Sequence, residues 1–395
     1  MGSMVVENEE GWRPFDKLKL HGPPQNPLPF EAPSLVRGRR DTVLVWTNSE
    51  HQQFSDVLFR DDGKRLDRAY WKIPSKSAIP TISGQVQICL VLKPSTSASD
   101  PDTDESENDN SGDDEDLDDV VLQPTDQYVA VKIHYIDRIH ALRNRHSEDP
   151  MKEIAAMAYI GNEHPHVLGC YDVLADSQSV YVVMPYYRNG DLFQKLQESL
   201  KEVKPGIPEK DSRSYIQQIL FGVEFLQRKG ICHRDLSPEN IMIDDAGCVV
   251  IDLGMCLRMP FVGDHGNVVD ISQSSDERRL LIKPQGTCGK LPYMSPEIFL
   301  NRDPFDGEAV DIWSLGAILF CMLTGNRSYH RPDPSDAQFY WMTSGIERLL
   351  TDWDVNISLE AVDLLKGMLK TDPRERFTLH EVMNHAWFRP PFNAI

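Results

Sequence analysis

Apolar and polar residues alternate with a two-residue period early in the chain and then change to a helical period. Thr42–Trp46 and Gln85–Leu92 are runs of strand-forming residues. In the second run Val86, Ile88 and Leu90 alternate with Gln85, Gln87 and Cys89. Another strand is expected at Tyr128–Ile133, with Val129, Val131 and Ile133 on one face and Ala130 and Lys132 on the other. After Pro150 the spacing becomes that of helices, at Met151–Ile160, Asp191–Leu200, Asp211–Lys229, Gly307–Leu323, Leu359–Leu369 and Leu379–His385. No repeat of fixed period is present. Strands first and helices after predict an α+β chain, with a small β-rich lobe followed by a larger, mainly helical one.

Two stretches fall outside both periods. Residues 1 to about 33 carry Pro23, Pro24, Pro27, Pro29 and Pro33 among charges and read as an extended arm. Residues 95–119 are Ser/Asp/Glu-rich, cannot bury enough apolar surface to offset ordering entropy, and are expected to be disordered. Charge sharpens this picture. The net formal charge is -20, but residues 100–119 hold 12 acids and no Lys or Arg, so the rest of the chain carries only -8. Such a balance argues against a nucleic-acid binder or a ligand of anionic membranes. The acidic N-terminus has no apolar leader region, and the most apolar run, Ile312–Leu323, is too short to span a bilayer. The 7 cysteines show no CxxC spacing or zinc-type cluster, so reduced thiols in an intracellular, cytoplasmic protein are expected, with the nucleus left open.

Three fragments carry chemistry. Lys132 lies on a predicted strand, where it is either a solvated surface residue or a cation held against phosphates. His233-Arg-Asp-Leu-Ser-Pro-Glu-Asn240 follows a long amphipathic helix, and the apolar run Val249–Ile251 then leads into Asp252-Leu-Gly254. Phosphoryl transfer requires a positioned acceptor hydroxyl and metal ions that neutralise phosphate charge. Mg2+ takes oxygen ligands and keeps several waters, so the Asp252 carboxylate and the Asn240 amide suffice while Asp235 orients the hydroxyl.

In that order these fragments resemble the eukaryotic protein kinase family over roughly residues 76–388. The resemblance implies a two-lobed kinase fold and transfer of the γ-phosphate of ATP, with Mg2+, to protein substrates, serine or threonine being the expected acceptor. It implies that Lys132 of Val129-Ala-Val-Lys132 pairs with Glu153, or failing that Glu148, and that His233–Asn240 is the catalytic loop. Asp252-Leu-Gly254 resembles the metal-binding DFG, and Met294-Ser-Pro-Glu297 the end of the activation segment. Asp311 would brace the catalytic loop, Arg376 would pair with Glu297, and His385–Phe388 would close the domain. Tyr181–Tyr187 resembles the adenine-binding hinge, with Met184 as gatekeeper, Pro185 offering only its carbonyl and Tyr187 the N–H; Asp191 contacts ribose or caps a helix. Residues 1–75 are then a partly disordered N-terminal extension, residues 95–124 a disordered insert, and 389–395 a tail.

The chain departs from the family at three places. Of the glycine-rich loop only Gly84 and Val86 match, within Ile79-Pro-Thr-Ile-Ser-Gly-Gln-Val86. Ser237 stands where these kinases carry a lysine, and Lys290 where they carry a threonine. The pair reads as an exchange, with Lys290 reaching back to supply charge near Asp235. Arg234 before the catalytic aspartate implies an upstream activating kinase, with Ser272, Ser274, Ser275 and Thr287 as candidate phosphosites. Ser99, Ser106 and Ser111 each have an acid three residues on, as acidophilic kinases prefer. A monomer is expected. The alternative from another class is a pseudokinase acting as an allosteric or scaffolding partner, which the poor glycine loop favours and the set Lys132, Asp235, Asn240 and Asp252 opposes.

Overall fold

The alternating runs of the N-terminal third form long strands: β1 (Val36–Thr47), β2 (Glu50–Arg60), β3 (Ala69–Lys72), β4 (Ile79–Pro80), β5 (Gly84–Pro94) and β6 (Leu122–Tyr135). Two helices follow, α1 (Ile136–Leu142) and α2 (Pro150–Ile160), then β7 (Asp172–Ala175) and β8 (Ser179–Pro185). This is a computed structural model, which describes residues 23–47, 50–64, 66–95, 121–142, 149–202, 205–275 and 277–389. The acidic stretch with Ser99, Ser106 and Ser111, the first 22 residues, Glu148 and the end of the tail lie outside the described residues. The chain divides into two units, one of residues 32–161 and 169–186, the other of residues 1–31, 162–168 and 187–395.

In the first unit all eight strands share one sheet, and its ladder runs β1–β2–β3–β5–β6–β8–β7 and returns to β1, closing a barrel. The segment 36–72, assigned by its sequence to an extension, therefore supplies three barrel strands. Leu58, Tyr70, Cys89, Val91, Val129, Val131, Ile133, Leu174, Tyr181 and Val183 fill one core. Val43, Val45, Val57, Phe59, Ala69, Leu92 and Leu122 fill a second. Successive β2 residues Val57, Leu58 and Phe59 are all buried because alternate ones feed the two cores. In β5 it is Gln87, Cys89 and Val91 that point inward, while Val86, Ile88 and Leu90 are half-buried on the opposite face.

The second unit is built on α3 (Leu192–Ser199), α4 (Glu209–Arg228), α5 (Pro296–Leu300), α6 (Gly307–Thr324), α7 (Ala337–Ser344), α8 (Ile346–Asp352), α9 (Leu359–Met368) and α10 (Leu379–Met383). Short strand pairs lie between α4 and α5: β9 (Ile231–Cys232) with β12 (Leu257–Arg258), β10 (Ile241–Asp244) with β11 (Gly247–Val250), and β13 (Phe261–Val262) with β14 (Val268–Val269). The apolar run at 312–323 belongs to a longer helix than its hydropathy suggested. At 18 residues α6 meets the length and composition of a membrane span, yet 94% of it is buried inside the unit. A helix apolar on every side is the expected core element of a large domain.

Candidate active site

Lys132 is placed by β6. Cross-strand partners share a face, and Lys132 lies opposite Val86 of β5 and Val182 of β8, while Ala130 lies opposite Ile88 and Met184. One face of the sheet thus carries Lys132 together with Val86, Ala130 and Met184, an apolar surface with a single cation. Met184 is buried and Pro185 follows it opposite Val129. Glu153 comes from α2, which starts with Pro150, whose lack of an N–H costs nothing in the first turn, and with Asp149 accepting from the Met151 N–H. Its carboxylate meets Lys132 Nζ at 2.5 Å, both side chains being mostly buried. Gly84 has a packing reason to be glycine: a Cβ there would stand 1.9 Å from the Ile133 carbonyl oxygen. The turn before it is tight, with Thr81 N–H donating to the Gly84 carbonyl at 3.0 Å. Buried Ser83 pins it to the end of β6 through His134 Nδ1, at 2.7 Å. Ser83, in the turn before β5, and His134, near the end of β6, are buried polar supports of this turn that the sequence did not single out.

In the second unit the catalytic-loop segment is held from below by α6. Asp311, fully buried, accepts from the backbone N–H groups of His233 and Arg234 at 2.7 and 2.8 Å. Burial pushes its carboxyl up to about 6. Arg234 and Asp252 both have φ of +67°, a conformation rarely adopted by residues other than glycine. Asp252 Oδ1 accepts from the Gly254 N–H at 3.1 Å. Asn240 ends a single turn of 3-10 helix, and its Nδ2 donates to the Asp235 carbonyl at 2.8 Å and to Asp235 Oδ2 at 3.2 Å. That orientation leaves the Asn240 amide oxygen available as a metal ligand. No side chain donates to Asp235 Oδ1 among the described residues, and the Lys290 backbone N–H also faces this carboxylate. The Asp235 carboxyl is pushed up to about 6, chiefly by burial; Lys290 opposes the shift and Asp252 adds to it.

Lys290 Nζ donates to Ser237 Oγ at 2.8 Å and lies 3.9 Å from Glu239. Gly289, just before it, has φ of +88°, and a Cβ there would come within 2.9 Å of the Arg234 carbonyl oxygen. Only glycine lets the segment lie this close to the catalytic loop. Arg376, with no exposed surface, makes a forked pair to Glu297 at 2.6 and 3.1 Å. Asp191 caps α3, accepting from the Gln194 N–H at 2.8 Å. Tyr187 belongs to the second unit, immediately after the strand that carries Met184.

The first unit thus holds a strand lysine paired to a helix glutamate, and the second holds Asp235, Asn240 and Asp252 on turns braced by the buried Asp311. Residues 117–388 match the protein kinase domain family. The chain belongs to the protein kinase family. It is 32% identical over 271 residues to CBL-interacting serine/threonine-protein kinase 12 of Arabidopsis thaliana, covering 69% of this chain and 49% of that protein. It is 31% identical to CBL-interacting protein kinase 21 of Oryza sativa subsp. japonica, covering 68% and 46%. For CBL-interacting serine/threonine-protein kinase 15 of Arabidopsis thaliana the figures are 31%, 67% and 56%. The chain spans about half the length of these curated relatives.

Proposed function

We propose that this protein transfers the γ-phosphate of ATP to hydroxyl groups of protein substrates, with serine and threonine as acceptors. The observation that carries this reading is the Asp235 carboxylate, held by Asn240 Nδ2 beside Lys290 and Asp252. Asp235 accepts the hydrogen bond of the acceptor hydroxyl and aims its oxygen. Asp252 and the freed Asn240 oxygen are the oxygen donors that suit Mg2+, which when bound neutralises phosphate charge. Lys132, fixed by Glu153, holds the phosphates, and the apolar face of Val86, Ala130 and Met184 takes the purine. Lys290 stands in for the lysine missing at position 237. The CBL partner in the relatives' names belongs to those proteins. The serine/threonine assignment takes its support from relatives named as serine/threonine kinases.

The test is incorporation of labelled phosphate from ATP and Mg2+ into the protein itself and into generic protein substrates, wild type against Asp235→Asn. Incorporation by wild type alone, recovered as phosphoserine or phosphothreonine after acid hydrolysis, is expected. Nucleotide binding without any transfer overturns the reading in favour of a pseudokinase.

A further inference from the structure

The activation segment runs from Asp252 to Glu297 and brings its own core: Met255, Leu257, Met259, Phe261, Val269, Ile282 and Cys288 are buried against Cys232, Phe305 and Val310. Its two limbs are each one strand of a small pairing. The outgoing limb, at Arg258, pairs on one edge with Ile231, which leads into the catalytic loop. The returning limb, at Ile282, pairs on one edge with Phe305 through two bonds of 2.9 Å. The opposite edges of both limbs are occupied by one short piece of chain. Leu28 N–H donates to the Arg258 carbonyl at 3.0 Å, and Gln25 N–H donates to the Leu281 carbonyl at 2.9 Å. Lys283 N–H returns a bond to the Gln25 carbonyl at 2.8 Å. The Arg258 side chain adds to the clamp: it donates to the Pro29 carbonyl at 2.8 Å, stacks over the Phe30 ring, and pairs with Asp270.

Arg234, read from sequence as the partner of an added phosphate, sits in the same region. Its guanidinium donates to the carbonyls of Met255 and Gly286, at 3.4 and 3.2 Å, and lies over the Phe305 ring. The Gly286 carbonyl that it meets is followed by Thr287, and Arg234 Nε is buried with no hydrogen-bond partner among the described residues. Of the candidate phosphosites, Ser272 donates to Asp270 and Ser274 to the Val262 carbonyl.

We propose that residues 25–30 are a built-in strap that staples both limbs of the activation segment by strand addition, ordering it without an added phosphate. This rests on the kinase reading and adds the regulation of the same site. Strand addition suits the task because backbone bonds require no particular side chains and the prolines at 23, 24, 27 and 29 keep the strap extended at low entropic cost. By holding the returning limb, the strap sets where Gly289 and Lys290 meet the catalytic loop. Release of the strap, by a partner that binds the proline-rich segment or by modification within it, then lowers activity.

The test uses the full chain carrying Gln25→Pro and Leu28→Pro, which delete the two strap N–H donors while keeping an extended backbone. Arg258→Ala is the second variant. Wild type and variants are treated with phosphatase, then compared in hydrogen exchange of residues 257–259 and 280–283 and in kcat. Each bond lost is worth about fivefold, so exchange in these amides is expected to quicken about 5- to 30-fold and kcat to fall at least about fivefold. A synthetic peptide of residues 22–31 is expected to restore both in the proline variant. The proposal is overturned if the proline variant exchanges and turns over like wild type, or if phosphatase-treated wild type is inactive until its segment is phosphorylated. Should wild type transfer no phosphate at all, the kinase reading fails, and the exchange arm still decides on the strap.

Discussion

Replacing Lys290 by alanine isolates the most unusual feature of the site. Its ammonium is 2.8 Å from Ser237 Oγ and close enough to Asp235 to oppose the rise of that carboxyl. Two unit charges 4 Å apart interact by about 1 kcal/mol in water and about 4 kcal/mol at an effective dielectric of 20. Lys290 Nζ makes its ion pair with Glu239, at 3.9 Å, and lies farther than that from Asp235, and its side chain is 38% exposed, so a value in the middle of this range is an upper bound. About 2 kcal/mol corresponds to roughly 30-fold in kcat. The assay is steady-state phosphate transfer with ATP and acceptor varied separately, on Lys290→Ala, Lys290→Thr, Ser237→Lys and the double variant Ser237→Lys/Lys290→Thr. Both Lys290 variants should lose up to roughly 30-fold in kcat with little change in the KM for acceptor. Ser237→Lys alone should also fall, since it brings two ammonium groups within hydrogen-bond reach of one another. The double variant, which restores one cation and one hydroxyl, should recover most of the loss. A threefold loss or less in Lys290→Ala, or no recovery in the double variant, would refute the reasoning.

Four further outcomes follow from the geometry. With Asp235 pushed up to about 6, its ionised form is lost as pH falls through that value, so kcat/KM for the acceptor should drop below about pH 6; Lys290→Ala removes an opposing charge and should move that limb upward, as a pH–rate profile would reveal. Lys132→Met should reduce kcat/KM for ATP by roughly 100-fold, with Glu153→Gln acting in the same direction but less, measured by varying ATP. Arg376→Ala leaves Glu297 unpaired beside a buried gap, at about 3–5 kcal/mol, so thermal unfolding should begin roughly 10 °C lower; a shift under about 2 °C would count against the pair's structural role. Gly84→Ala forces a methyl against the Ile133 carbonyl, and should destabilise the barrel by about 1–3 kcal/mol in calorimetry, rather than merely raising the KM for ATP.

The family and much of the secondary structure of this protein could be read directly from its sequence. The two-residue period of 85–92 and 128–133, and the helical period after Pro150, recur as β5, β6 and the helices, because burial on one face dictates spacing along the chain. Contiguous segments such as His233–Asn240 and Asp252–Gly254 hold the candidate site residues on short connected turns, where a local motif can show them. Pairs distant in sequence, Arg376 with Glu297 and Asp311 with the catalytic loop, were expected only because the chain resembles a known family. Tertiary structure decided the rest. That residues 36–72 close a barrel with β5–β8 depends on ladder bonds between strands more than a hundred residues apart, which no local pattern encodes. That β5 turns Gln87 and Cys89 inward follows from its register with β6, because a strand with apolar residues on both faces does not say which face is covered. The proline-rich segment looked like a solvated arm because strand addition uses backbone groups, and backbone groups leave no trace in composition. Its place across Arg258 and Ile282 could emerge only once both limbs of the activation segment had been brought to the same edge.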